Sequence, residues 1–101
     1  MDKWVVEVKR GETFNVNLDE GKGLRLLKAR FCGEEKGSKD YVYLKATVED
    51  KIFIIGTLSE IRTVQILDLF FDKDTQISHN WRNGSVCFSG YIIDSTSDYG
   101  S

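Results

Sequence analysis

Apolar side chains recur at every second position along most of the chain. Trp4, Val6 and Val8 follow this spacing, as do Phe14 and Val16, and no segment shows a helical period. A period of two residues is typical of a β-strand that is buried on one face. The pattern predicts eight strands, at about residues 4–9, 13–18, 24–32, 41–49, 51–58, 63–71, 75–81 and 85–93.

The connections between the strands contain turn signals. Glu49 and Asp50 alone separate two strands, which predicts a tight hairpin turn. Asn83-Gly84 predicts a second hairpin, of type I′, between the last two strands, because both positions need a positive φ. The polar stretch 33–39 predicts a solvated loop. Eight short strands predict an all-β fold, an eight-stranded antiparallel jelly-roll β-sandwich.

Two of the predicted strands are apolar on both faces. In strand 51–58, simple alternation places Ile52, Ile54 and Leu58 on one face and Phe53 and Ile55 on the other, and strand 63–71 is similar. Because no predicted helix could cover a second apolar face, this pattern favours contact with another copy of the chain. The alternative is a more tightly closed barrel whose strands exchange faces through bulges. The predicted interface residues are Phe53, Ile55, Leu67, Leu69 and Phe71.

The composition is that of one globular domain of 101 residues, with 41% hydrophobic and 30% charged positions. These fractions exclude a disordered chain, a collagen-like chain and a coiled coil. A net charge of -2 argues against binding to duplex DNA. Neither a signal peptide nor a membrane span is predicted. We expect a β core over residues 1–93 and the start of a polar, acidic tail or linker over 94–101.

Few residues could perform covalent chemistry. His79 is the only histidine, and its place in a strand favours a structural hydrogen-bonding role. Cys32 and Cys87 are too few for a disulfide scaffold and are predicted to be reduced core thiols. A zinc site built from these three residues would lack a closely spaced pair of ligands. No metal site and no cofactor are therefore predicted.

Asp68 is the single candidate for a catalytic carboxylate. It shares a strand face with apolar residues such as Ile66, where an ionised carboxylate needs a partner. Arg25 or Arg30 could supply that partner. A structural ion pair or an interface contact is a simpler interpretation than catalysis.

Acidic residues are grouped in the predicted loops. Glu34, Glu35, Asp72 and Asp74 alone would be ordinary solvated charges. Repeated around a ring of subunits they would form an acidic rim that attracts a basic partner, because fields from like charges add within a Debye length.

Several segments resemble the nucleoplasmin-like domain of plant proteins. They are KWVVEVK at 3–9 followed by Gly11, GTLS at 56–59, DLFFDK at 68–73 and ISHNWRNGSVCFSGY at 77–91. Residues 1–93 are similar to the amino-terminal domain of the plant-specific tuin-type histone deacetylases, and also to that of nuclear FKBP-type prolyl isomerases. The resemblance implies a ring-shaped homopentamer, in some members a decamer, in the nucleus or nucleolus. It implies a chaperone of core histones, namely the dimer that contains H2B, the H3–H4 pair or both, without direct contact with nucleic acid or membrane.

The resemblance to the deacetylase branch is incomplete. Arg25 stands where that branch has a histidine proposed as catalytic, whereas the proposed aspartate partner corresponds to Asp68. Arginine stays protonated at neutral pH and cannot act as a general base. We therefore expect a histone-binding core that performs no covalent chemistry. The alternatives are a deacetylase that uses Asp68 with another base, or an oligomerisation and targeting module for a catalytic domain elsewhere in a longer chain.

Overall fold

All eight predicted strands are present. The structure, a computed structural model, describes residues 2–32 and 39–94. The strands are β1 (Asp2–Val8), β2 (Phe14–Val16), β3 (Lys22–Phe31), β4 (Val42–Val48), β5 (Lys51–Leu58), β6 (Val64–Phe71), β7 (Thr75–His79) and β8 (Val86–Asp94). Within these two ranges, no helix has the length and apolar character needed to cross a membrane.

The strands form two antiparallel sheets of four strands each. The first sheet has the order β1-β8-β3-β6, and the second has the order β2-β7-β4-β5. Chain connections therefore pass repeatedly from one sheet to the other, which is the jelly-roll arrangement. The predicted β-sandwich is confirmed.

The core lies between the two sheets. Leu24, Leu26 and Phe88 from the first sheet, and Leu44 and Ile77 from the second, are completely buried. Burial of side chains of this size stabilises the fold by about 2 kcal/mol each.

A β-bulge in β5 reverses the faces of that strand part-way along. Lys45 of β4 pairs with Ile54 and Leu44 pairs with Gly56, so Ile55 is an extra residue. Ile52 and Ile54 point outward, with 68% and 57% of their surface exposed, whereas Leu58 is fully buried. The prediction that Ile52, Ile54 and Leu58 share one face is therefore wrong. Exchange of faces through bulges does occur, but within an open sandwich rather than a closed barrel.

The tight turn between β4 and β5 is confirmed. Val48 pairs with Lys51, so Glu49 and Asp50 form a two-residue loop. Their φ angles are 51° and 66°, in the left-handed region that a type I′ turn requires. Few residues other than glycine adopt this conformation, but here it places two carboxylates at the tip of a hairpin.

The predicted hairpin at Asn83-Gly84 is wrong. The strands on either side, β7 and β8, belong to different sheets, so the connection crosses the sandwich instead of reversing within one sheet. Trp81 in this connection is buried, with 3% of its surface exposed. A Cβ atom on Gly84 would lie 2.8 Å from the Trp81 ring. Glycine is needed here for close packing against the tryptophan.

The prediction of reduced thiols is also wrong, because Cys32 and Cys87 form a disulfide bond with their Cα atoms 5.7 Å apart. Cys87 lies in β8 opposite Arg30 of β3, and Cys32 directly follows the end of β3. Strand pairing thus joins two cysteines that are 55 positions apart in sequence.

His79 links the two sheets by a hydrogen bond. Its Nε2 lies 2.7 Å from the carbonyl oxygen of Val8 in the first sheet. The amide of Trp81 donates to Nδ1 at 3.0 Å, so Nε2 carries the proton and donates to Val8. Burial lowers the pKa of His79, and the hydrogen bond to Val8 opposes this effect only in part. The structural interpretation of this histidine is confirmed.

We expect Gly90→Ala to lower the free energy of unfolding by about 3 kcal/mol, as overpacking does elsewhere. β8 passes so close to β3 that an added Cβ would collide with the carbonyl oxygen of Arg25. Urea denaturation measures the change. Ser89→Ala, one position away on the outer face of β8, is the matched control and should shift stability by less than about 0.5 kcal/mol. Equal stability of the two variants would contradict this packing.

The protein should lose stability as the pH falls below about 6.5, the pKa of histidine in an unfolded chain. The pKa of His79 is lower in the folded state, so the unfolded chain binds more protons in the window between the two values. Urea denaturation between about pH 8 and pH 5.5 measures this slope. His79→Gln should be less stable at pH 8 and nearly independent of pH over the same window. An unchanged slope in the variant would assign the effect to other groups.

Candidate functional site

Carboxylates gather at one end of the sandwich, which we call the acidic end. The β4–β5 turn, the β6–β7 connection and the two chain-terminal strands all reach this end, because Phe71 pairs with Leu24 and Thr75 pairs with Val48. Its acidic residues are Asp2, Asp19, Glu20, Glu49, Asp50, Asp72, Asp74 and Asp94. The predicted candidates Asp72 and Asp74 lie within this group.

Lysines neutralise only part of the acidic end. Lys73 contacts Glu49 at 2.7 Å, and this hydrogen bond and charge raise the pKa of Lys73. Lys22 contacts Asp94, which lowers the pKa of Asp94 and raises that of Lys22. Two lysines thus offset two of the carboxylates at this end, and the remaining negative charge can act on a basic ligand.

Asp74 also has a structural contact at this end. Its Oδ1 accepts a hydrogen bond of 2.8 Å from the Leu18 amide, which ties the β6–β7 connection to the segment that follows β2. The bond uses the carboxylate as an acceptor and leaves its charge in place.

The other predicted acidic pair, Glu34 and Glu35, lies outside the described residues. The chain enters that segment after Cys32, whose amide bonds to the carbonyl of Ser85 at the start of β8. That point is at the opposite end of the first sheet from Asp72. Of the four predicted acidic residues, Asp72 and Asp74 are the two that the described residues include.

Asp68 is held by Arg25 on the outer face of the first sheet. The Arg25 Nη2 and the Asp68 Oδ1 are 2.9 Å apart, and both side chains are about half exposed. Asp68 has a φ of 51° and lies where β6 is irregular opposite the β3 bulge. Of the two predicted partners, the structure selects Arg25, while Arg30 donates to the carbonyl of Phe31. The Asp68 carboxylate is therefore engaged in an ion pair.

The predicted interface residues lie mainly on the inner side of the edge strands. Ile55, Leu67, Leu69 and Phe71 are half-buried and pack against the core. Phe53 is 49% exposed. Their contact with a second copy remains a prediction. A different set of apolar residues faces outward on β5 and β6, which are edge strands of the two sheets. We call this set, together with Phe53, the apolar edge: Ile52, Phe53, Ile54, Val64 and Phe70.

Sequence reasoning missed a groove on the outer face of the first sheet. Lys3 and Val5 from β1 form one side, Lys28 and Arg30 from β3 form the other, and the cavity measures about 680 Å³. We call it the basic groove. Alternation in β1 could have placed Lys3 and Val5 outward. Lys28 and Arg30 face outward because of the bulge at Leu27, and only the strand order shows that β1 and β3 flank β8.

The three residues that were considered as zinc ligands form other bonds. Cys32 and Cys87 bond to each other, and both ring nitrogens of His79 are hydrogen-bonded. Within residues 2–32 and 39–94, no group of three or more histidine, cysteine or acidic side chains is arranged to hold a metal ion.

Comparison with plant proteins shows similarity over most of the chain. Histone deacetylase HDT1 of Solanum chacoense is 39% identical over 92 residues, which cover 90% of this chain and 34% of that protein. Histone deacetylase HDT1 of Arabidopsis thaliana is 37% identical over 94 residues, covering 90% and 38%. The chain thus spans about a third of the length of these relatives.

Solved structures share the same fold. The NLP core of Drosophila, described in terms of pentamer formation and histone binding, superposes with a TM-score of 0.79 at 12% identity, covering 92% of this chain and 99% of that one. The nucleoplasmin-like N-terminal domain of Drosophila FKBP39 gives a TM-score of 0.73 at 20% identity, covering 92% and 89%. The family profile of the nucleoplasmin-like domain matches residues 3–93. The chain therefore belongs to the nucleoplasmin-like domain family.

Proposed function

We propose that this domain is a self-associating, histone-binding core that acts as a nuclear, and specifically nucleolar, chaperone of core histones. Its histone partner is the dimer that contains H2B or the H3–H4 pair. The observation that carries the proposal is the acidic end, on a fold shared with the histone-binding NLP core. Its relationship to plant histone deacetylases is consistent with a substrate or partner in chromatin.

The acidic end suits a basic partner because its charge is concentrated and accessible. Glu49 and Asp50 project from the tip of a hairpin, and Asp72 and Asp74 flank the neighbouring connection. Arginine and lysine side chains of a histone would find several carboxylates within one Debye length, about 8 Å at physiological salt. Such an arrangement favours rapid, salt-sensitive association.

Self-association is supported by the apolar edge. Ile52 and Ile54 on β5 are each more than half exposed, and exposed aliphatic side chains of this kind mark protein interfaces. A head-to-tail contact between the apolar edge and a different surface of the next copy would close into a ring. We propose a homopentamer like that described for the NLP core, with a decamer as a further state.

Deacetylase activity is not favoured by the site. The name of the plant relatives belongs to proteins about three times longer than this chain. In this domain the candidate Asp68 contacts Arg25 at 2.9 Å, and a guanidinium cannot accept a proton at neutral pH.

Neutralising the acidic end should weaken histone binding. Asp72→Asn with Asp74→Asn removes two charges and keeps an acceptor for the Leu18 amide. We expect about a tenfold loss of affinity for the histone dimer that contains H2B, together with a weaker salt dependence, measured by fluorescence titration.

Matched variants at other positions test whether the loss of histone affinity is specific to the acidic end. Glu12→Gln with Asp40→Asn removes the same charge from the opposite end and should change affinity less than twofold, by rough expectation for distant screened charges. Glu34→Gln with Glu35→Gln tests the remaining predicted pair in the same titration. If the variants at Asp72 and Asp74 bind as tightly as the unchanged protein, the acidic end is not the histone site.

Light scattering on a sizing column tests self-association. Five copies of the 11.5 kDa chain give 57.5 kDa, and we expect a species at this mass or at twice it. Ile52→Glu with Ile54→Glu should shift the mass towards the monomer, because it would bury charge in the contact. Gln76→Glu with Ser78→Glu, on the outer face of β7 in the same sheet, is the control. A monomeric unchanged protein would overturn the proposed ring.

A further inference from the structure

We propose that the basic groove binds an extended, carboxylate-rich peptide segment. The groove follows β8, whose outward side chains Cys87 and Ser89 are small and form its floor. Lys3 and Val5 on β1 rise along one side, and β3 lies along the other. The result is an open channel along a strand, a shape that an extended chain can fill.

The charge of the groove is opposite to that of the whole chain. Lys3, Lys28 and Arg30 line it, and in the described part of the chain neither lysine forms an ion pair. The one acidic side chain in the lining, Asp68, is already paired with Arg25. The protein has a net charge of -2, so this local excess of cations marks a place where a carboxylate-rich ligand is complementary.

The spacing of the cations fits an extended peptide. Lys28 and Arg30 both point outward from β3, two residues apart, which corresponds to about 6.5 Å along a strand. Alternate side chains of an extended ligand have this same repeat. Lys3 lies two strands away, about 10 Å across the sheet, because β1 and β3 flank β8. A chain between these two sides could place carboxylates towards both.

The apolar lining favours a peptide over a nucleic acid. Val5, Leu27 and Ile66 are aliphatic, and Tyr91 is the one aromatic residue among the side chains that line the groove. Proteins that bind single-stranded nucleic acid present aromatic rings on which successive bases stack. Aliphatic walls instead accommodate the apolar side chains that alternate with acidic ones in an extended peptide. The site is also distinct from the acidic end, where a basic partner is expected.

The test is fluorescence anisotropy with an alternating glutamate–valine peptide of about eight residues, which is longer than the stretch of β8 between Cys87 and Tyr91 that the groove follows. We expect saturable binding that weakens at least fivefold, as a rough expectation, when salt rises from about 50 to 300 mM. Lys3→Glu with Lys28→Glu should lower the affinity about tenfold or more. Lys9→Glu with Lys51→Glu makes the same change in net charge away from the groove and should lower it far less.

Three results would overturn the proposal. They are an absence of peptide binding, an equal loss of affinity in both double variants, or tighter binding of a single-stranded uridine oligonucleotide than of the peptide. Circular dichroism and the light-scattering mass of each variant confirm that folding and assembly are intact. Because both lysines of the groove are exposed, their substitution should leave the fold unchanged. A Lys28→Gln variant, which removes one charge without reversing it, should give an intermediate affinity.

Discussion

The pairing of β8 with β3 is the contact on which the rest of the structure depends. It extends from Lys22 opposite Asp94 to Phe31 opposite Val86, and β8 also holds β1 on its other side. The bulge at Leu27 changes which alternate side chains of β3 face the core, and the pairing with β8 continues past it. Gly90 allows the two backbones to approach at this point. The same pairing creates the disulfide at one end of the sheet and the floor of the basic groove along its middle.

The distribution of charge follows from the jelly-roll connectivity. Consecutive strands alternate in direction, so connections separated by two strands in the sequence reach the same end of the sandwich. The β4–β5 turn and the β6–β7 connection therefore bring Glu49, Asp50, Asp72 and Asp74 together. Carboxylates collect at one end while Lys3, Lys28 and Arg30 lie on a sheet face. A chain with almost balanced charge can thus present two oppositely charged surfaces.

The strand positions could be predicted from the sequence because a half-buried strand has an apolar side chain at every second position. The β4–β5 turn was predictable for the same reason, since its flanking patterns leave only Glu49 and Asp50 between them. The outward position of Ile54 could not be predicted, because the extra residue Ile55 shifts the alternation of inward and outward side chains by one position. The Asn83-Gly84 pair led to a wrong hairpin prediction. Its glycine is required for packing against Trp81, and the sequence alone does not distinguish such a glycine from one in a turn.

The sites were less predictable than the strands. Asp72 and Asp74 could be named from their loop, but their neighbours Glu49 and Asp50 join them only through the order of the strands. The basic groove and the Cys32–Cys87 bond depend on the register between β3 and β8, which links distant parts of the sequence. In a regular strand, alternation indicates which side chains share a face, but it carries no information about the neighbour across the sheet.

The position of β1 has a consequence for the order of events during synthesis. Among the described strands, β1 pairs only with β8, and Asp2 lies opposite Ile92. The first strand of this domain to be synthesised therefore cannot enter the sheet until the last one has been made. β2 likewise waits for β7. Since contacts between distant segments form slowly, the nascent chain exposes its apolar strands until translation of the domain is almost complete, and the β4–β5 hairpin is the part best placed to form early.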